Sequence, residues 1–119
     1  MIKTVKDLEV YLLAYKMAMN IFEASKCFPA EEKFSLTDQI RRSSRSVAVN
    51  ISEGWGKRVY VQLFKRHLID SIGSLEETKS WLSFAKDCGY LSKSEYLKLD
   101  SESDKIGSKI YRLYENWKS

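Results

Sequence analysis

Apolar positions along the chain fall into four stretches with helical spacing, each ended by a recognisable stop. Between about 7 and 27, Leu8, Tyr11, Leu12, Tyr15, Ala18, Met19 and Phe22 recur at steps of three and four, which predicts a helix with that stripe against the core. Phe28-Pro29 ends it, because the residue before a proline is driven out of the α region and proline has no N–H for the turn before it. A second helix is expected over about 36–54, opened by Ser35 and Asp38 in the manner of a capping box and stopped by Gly54-Trp55-Gly56. Its stripe of Leu36, Ile40, Ser43, Val47, Asn50, Ile51 and Gly54 mixes apolar with small residues, which suits a close approach to neighbouring backbone.

The third helix is expected over about 59–88, with Phe64, Leu68, Ile72, Leu75, Leu82 and Ala85 on one face and Trp81, Phe84 and Cys88 widening it. Gly89 ahead of Tyr90-Leu91 fits a left-handed C-terminal turn, where the missing Cβ removes the steric penalty. Ser92 and Glu95 then form a capping box for a fourth helix over about 93–117, whose seam is Leu99, Ser103, Ile106, Ile110, Leu113 and Trp117, with Ser103 as its weak place. Gly73-Ser74 and Gly107 lie within helices, where glycine costs about 1 kcal/mol relative to alanine, so each needs a packing reason, and at Gly73 a closely approaching helix is expected. Short connections make consecutive helices antiparallel neighbours, so 1–119 is expected to be a single all-α domain, an antiparallel up-down-up-down four-helix bundle.

A chain of 119 residues supports one core, and 44% hydrophobic with 30% charged residues and one proline excludes a disordered or fibrous chain. No apolar run reaches the roughly 20 residues of a membrane span, and the start from Met1 to Asp7 lacks the apolar run of a signal peptide, so a cytoplasmic, non-membrane protein is expected. Reduced Cys27 and Cys88 read as small buried hydrophobes.

The search for reaction chemistry assembles no site. His67 is the only histidine, which rules out the paired Glu-x-x-His of di-iron bundles, and no Cys-x-x-Cys pair exists for zinc. Within Lys65-Arg66-His67 it has no orienting partner in view and reads as a partly exposed helical residue. Gly54-Trp55-Gly56-Lys57 lacks the glycine spacing of a phosphate loop, while Glu31-Glu32 and Glu76-Glu77 are adjacent pairs whose side chains point about 100° apart on a helix. The expectation is a protein that is not an enzyme, with no catalytic residue, no cofactor and no metal.

Charge is more informative than its total. The formal net charge is +4, yet Arg41, Arg42, Arg45, Lys57, Arg58, Lys65 and Arg66 stand against Glu53 alone between 41 and 66, which places +6 there and −2 elsewhere. Arg41 and Arg45 lie one turn apart and Arg42 about 100° around the helix, giving a positive face on helix two that the later cations extend. With Trp55 and Tyr60 interleaved, these seven residues are the candidate contacts to RNA or DNA. Asn50, on the apolar stripe, needs a hydrogen-bond partner and is assigned with Glu53, Gly54 and Trp55 to a structural or interface role.

Gln39-Ile40-Arg41-Arg42-Ser43-Ser44, Ser46-Val47 and Asn50-Ile51-Ser52-Glu53-Gly54 resemble the bacterial four-helix proteins encoded in intervening sequences of 23S ribosomal RNA. Asp7-Leu8-Glu9-Val10, Phe28-Pro29, Phe64, Gly73-Ser74-Leu75-Glu76-Glu77 and Gly89-Tyr90-Leu91 follow in the family's order. The chain departs from that pattern at Tyr11, where tryptophan is common, and at Arg45, where a small residue is usual. The resemblance implies a four-helix bundle, often a ring-shaped homopentamer. It also implies kinship with the accessory protein of diversity-generating retroelements, which associates with reverse transcriptase and nucleic acid. The expected function is a homo-oligomeric scaffold binding RNA or DNA, with an adaptor for an acidic protein partner or a nucleic-acid enzyme such as a reverse transcriptase as the alternative.

Overall fold

A computed structural model describes residues 1–118. It has four long helices, α1 (Glu9–Ser25), α2 (Leu36–Gly56), α3 (Val61–Asp87) and α4 (Lys93–Asn116), with single 3-10 turns η1 (Val5–Asp7) and η2 (Ala30–Glu32). There is no strand among the described residues. Close backbone approaches join α1 to α2, α2 to α3, α3 to α4 and α4 back to α1, with none between diagonal helices, so the four stand at the corners of a square around one core.

Residue numbers rise on one helix as they fall on its neighbour. Across α2 and α3, Ser43 meets Thr78, Ser46 meets Ser74 and Asn50 meets His67. Lys65 lies over Tyr114 and Lys79 pairs with Asp104 between α3 and α4, while Glu9 pairs with Lys109 and Asn20 contacts Glu102 between α1 and α4.

Most of the expected stripes are in the core, but α1 turns a different face inward. Val10, Ala14, Met17, Ala18 and Ile21 are buried, whereas Leu12, Tyr15 and Met19 are 51%, 55% and 45% exposed. Two apolar stripes that share Ala18 compete on this helix, and the one through Ala14 wins because that small residue lets α1 approach its neighbours closely. Cys27 and Cys88 are exposed rather than buried, and Phe84 also faces solvent. Ser103 is fully buried without penalty, since its hydroxyl donates to Leu99 O at 2.9 Å within its own helix.

The helix ends divide between expected and unexpected chemistry. Ser92 Oγ accepts from Glu95 N and Glu95 Oε1 accepts from Ser92 N, both at 3.0 Å, completing the capping box of α4. Gly89 has φ 82°, Tyr90 N–H donates to Ala85 O at 2.8 Å and Gly89 N–H to Lys86 O at 3.0 Å, closing α3 with a Schellman turn. Ser35 does not cap α2, because its hydroxyl donates to Glu32 instead, and the Glu32 carboxylate accepts the free Leu36 N–H. Gly54-Trp55-Gly56 does stop α2, which ends at Gly56, two residues beyond the expected bound. Gly54 serves the helix pairing: a Cβ there would lie 2.8 Å from His67 Cβ and 3.0 Å from Phe64 Cδ1. Gly73 has no atom within 4 Å of a Cβ position, so the close approach expected there is at Gly54 and, against Leu75, at Gly107.

Glu32 also ties the two chain reversals at this end together. Tyr90 donates to Glu32 Oε2 at 2.9 Å, and its ring packs 5.5 Å from that of Phe28. The hydrogen bonds from Ser35 and Tyr90 hold the Glu32 carboxyl below its ordinary value, and the bond to Glu32 is the largest cause pushing the Tyr90 phenol up to about 12. A lowered carboxyl stabilises the fold above its unfolded pKa and ceases to do so as pH falls through the lowered value. A raised phenol stabilises below its unfolded value of 10.0 and loses that contribution as pH climbs toward about 12. Tyr90→Phe is therefore expected to melt earlier than the parent at neutral pH, with the gap in Tm closing above pH 10.0. A gap that stays constant through that window would show that the Tyr90–Glu32 bond is not its source.

Candidate nucleic-acid interface

The seven predicted cations separate into two groups. Arg41 is half-buried against α1, its Nε donating to Ser25 Oγ at 2.8 Å and its guanidinium 4.7 Å from the centre of the Phe22 ring. Arg45 lies over the same ring at 5.7 Å, and Arg42 faces Asp38 at 3.9 Å in the open. These three bind the bundle to itself or share their charge with a neighbour, so the positive face read along α2 is partly internal.

Lys57, Arg58, Lys65 and Arg66 gather where α2 turns into α3. Four residues, Lys57 to Tyr60, reverse the chain between the two helices, held by Lys57 N–H to Gly54 O and Tyr60 N–H to Lys57 O, both 2.9 Å. The close pairing at Gly54 draws the two helices together directly behind this turn. Beneath it Trp55, Phe64 and Trp117 pack edge to face, with centroids 4.7 Å apart for Phe64–Trp117 and 5.9 Å for Trp55–Trp117. Trp55 is thus core, 8% exposed, and unavailable to a ligand. Arg58 covers it at 4.0 Å and donates from Nη1 to Trp55 O at 2.9 Å, two contacts that fix its guanidinium in advance.

His67 has the partners that its isolation in the sequence concealed. Its Nδ1 meets Asn50 Oδ1 at 3.3 Å and its Nε2 meets Lys57 Nζ at 3.0 Å. The Lys57 ammonium can only donate, so Nε2 accepts and Nδ1 carries the hydrogen given to Asn50. Asn50 Nδ2 in turn donates to Ser46 O and Ser46 Oγ at 3.1 Å, and Ser46 Oγ pairs with Ser74 Oγ at 2.9 Å. This chain of side chains crosses the α2–α3 seam through Asn50, while the exposed Glu53 side chain makes no hydrogen bond or ion pair among the described residues.

Cations distant in sequence join the turn. The start of α1 lies beside the end of α4, and Trp117 brings that end of α4 onto Trp55 and Phe64. Lys3, Lys6, Arg112 and Lys118 consequently share one end of the bundle with Lys57, Arg58, Lys65 and Arg66, against Asp7, Glu53 and Glu115, while Glu9 and Lys109 beside them cancel as an ion pair. Eight cations against three acids make this end +5, more than the whole chain's +4. No local signal marks the four added residues, since only the packing of α1 beside α4 brings them here. Tyr60 is 68% exposed and Val59 84% exposed at the tip of the turn.

Among the described residues, no group of three or more His, Cys, Asp or Glu is arranged to hold a metal, and no helix is long and apolar enough to cross a membrane.

No curated protein matches the sequence. Among solved structures, the chain is similar to a protein with unknown function from the S23 ribosomal protein family of Bacteroides thetaiotaomicron, with TM-score 0.81 and 23% identity over 90% of this chain and 96% of that one. At that identity the likeness establishes the fold. The family model of the 23S rRNA-intervening sequence protein matches residues 6–112, nearly the whole bundle, and the chain belongs to that family.

Proposed function

We propose that this chain is a nonenzymatic scaffold, an antiparallel up-down-up-down bundle acting in the cytoplasm as a homo-oligomer, whose basic end holds RNA or DNA. The observation that supports it most is the concentration of eight cations at one end, where three sequence-distant segments meet. Phosphates are the matching ligand, because their contacts need clustered, solvent-accessible Lys and Arg and no catalytic group. The unpartnered stripe of Leu12, Tyr15 and Met19 supports assembly, which the family resemblance extends to a ring-shaped pentamer. A ring repeats the basic end, and several weak contacts then act together.

Fluorescence anisotropy with labelled RNA and DNA at low and rising salt tests this reading. Binding is expected to weaken with a log–log slope of about −3 on single strands, from four phosphates at about −0.7 each. Reversal at Lys57, Arg58 and Arg66 together should abolish it, and reversal at Arg42 and Arg45 should cost less. Absence of binding at low salt would sink the proposal. The second reading is an adaptor for an acidic partner or a nucleic-acid enzyme such as a reverse transcriptase. It draws on the same basic end, whose Lys and Arg side chains pair with a protein's carboxylates as they do with phosphates.

A further inference from the structure

Resting on the nucleic-acid reading, we infer that the basic end takes an unpaired strand, with one base stacked on Tyr60 and the flanking phosphates on Lys57, Arg58 and Arg66. Tyr60 stands at the tip of a convex turn, its ring in solvent, and its backbone alone carries the structural work: Tyr60 O accepts from Leu63 N–H at 3.0 Å and from Phe64 N–H at 3.1 Å. A base within a duplex is covered on both faces by its neighbours, so an exposed ring at a protein tip is of use only to a base that is already unstacked.

The surroundings favour the same ligand. The two other aromatics inside the basic sequence segment, Trp55 and Phe64, are buried, Trp55 beneath Arg58, which leaves a single platform at the turn. Val59 and the 45% exposed Leu63 flank Tyr60 and extend apolar contact beside it. Duplex contact would call for cations spaced along a rod, and the helix that has them, α2, uses Arg41 against Ser25 and Phe22 and presents Arg42 beside Asp38. The end itself is small, the bundle measuring 46 × 25 × 20 Å, so its footprint belongs at the short end of the roughly 4–16 nucleotides held by single-strand binding folds.

The test compares a short oligothymidylate, the same strand with abasic sites, and a duplex of equal length, each against the wild-type chain, Tyr60→Ala and Tyr60→Phe. The single strand should bind more tightly than the duplex. Tyr60→Ala should weaken it about tenfold, Tyr60→Phe should restore it, and abasic sites should erase the difference between the variants. Circular dichroism should stay unchanged, since the Tyr60 side chain lies outside the core. Equal affinity for duplex and single strand, or no effect of Tyr60→Ala, overturns this inference while leaving the nucleic-acid reading intact. No binding to any of the three, with co-sedimentation on phosphatidylserine vesicles instead, overturns both and assigns the tip to an anionic membrane surface.

Discussion

Phe64→Ala is expected to destabilise the bundle by about 3–5 kcal/mol, the range for truncating a large aromatic in a core that cannot collapse around the gap. Phe64 is fully buried and bridges three helices, touching Trp117 of the α4 end at 4.7 Å and Trp55 of α2 at 6.5 Å. Its removal takes from each tryptophan one of its two edge-to-face partners, adding to the lost burial. The cluster already carries one cost, because Trp117 Nε1 is buried with no hydrogen-bond partner among the described residues. Against a total stability of about 5–15 kcal/mol, the loss should move a urea midpoint by roughly 2 M at about 2 kcal/mol/M. Phe84→Ala is the control: Phe84 is 57% exposed and its truncation should cost under about 1 kcal/mol. Comparable losses at the two sites would refute the assignment of Phe64 as the keystone of the basic end.

Adding one methyl at Gly54 is expected to be as informative as removing a ring. The new Cβ would stand 2.8 Å from His67 Cβ and 3.0 Å from Phe64 Cδ1, and a Cβ cannot swing aside as a side-chain tip can. The helices must separate, so Gly54→Ala should cost about 1–3 kcal/mol and Gly54→Val more, despite the gain in helix propensity. Separation at this point also strains the Asn50–His67–Lys57 contacts that cross the seam. Gly73→Ala should do the opposite and add about 1 kcal/mol, because nothing lies within 4 Å of its Cβ position. Thermal melts of the two variants beside the parent decide the matter. A stabilising Gly54→Ala would mean that α2 and α3 are not in contact there.

Two glycines within long helices thus have opposite meanings: Gly54 meets α3 closely, as the small residues on the α2 stripe suggest, whereas Gly73 meets nothing. Both interrupt an otherwise regular pattern, and periodicity contains no term for what lies across the interface. The same limit explains α1. Its spacing supports one stripe through Leu12, Tyr15 and Met19 and another through Val10, Ala14, Met17 and Ile21, and the choice between them rests on how closely neighbouring helices can come. The larger side chains favoured the first stripe on the page, but close packing favoured the second.

The candidate site was legible in part. Lys57, Arg58, Lys65 and Arg66 are clustered in sequence because they flank a turn, and a turn keeps neighbours together in space. Arg41 and Arg45 share a helix face, as their spacing requires, but that face looks toward Phe22, and only the placement of α1 could reveal it. His67 lacked a partner within reach along the chain, while its two partners belong to α2 and to the turn beyond it.

By itself, then, the sequence determined what depends on short range: four helices, the Ser92–Glu95 box, the left-handed stop at Gly89, the core stripes of α2 and α4. Residues three or four apart on a helix share a face whatever surrounds them. The tertiary structure alone decided which stripe of α1 is inside, why Gly54 is glycine, and that Lys3, Lys6, Arg112 and Lys118 complete a basic end. Those facts concern residues up to the length of the chain apart, whose meeting follows from how the helices pack and not from how the residues are spaced.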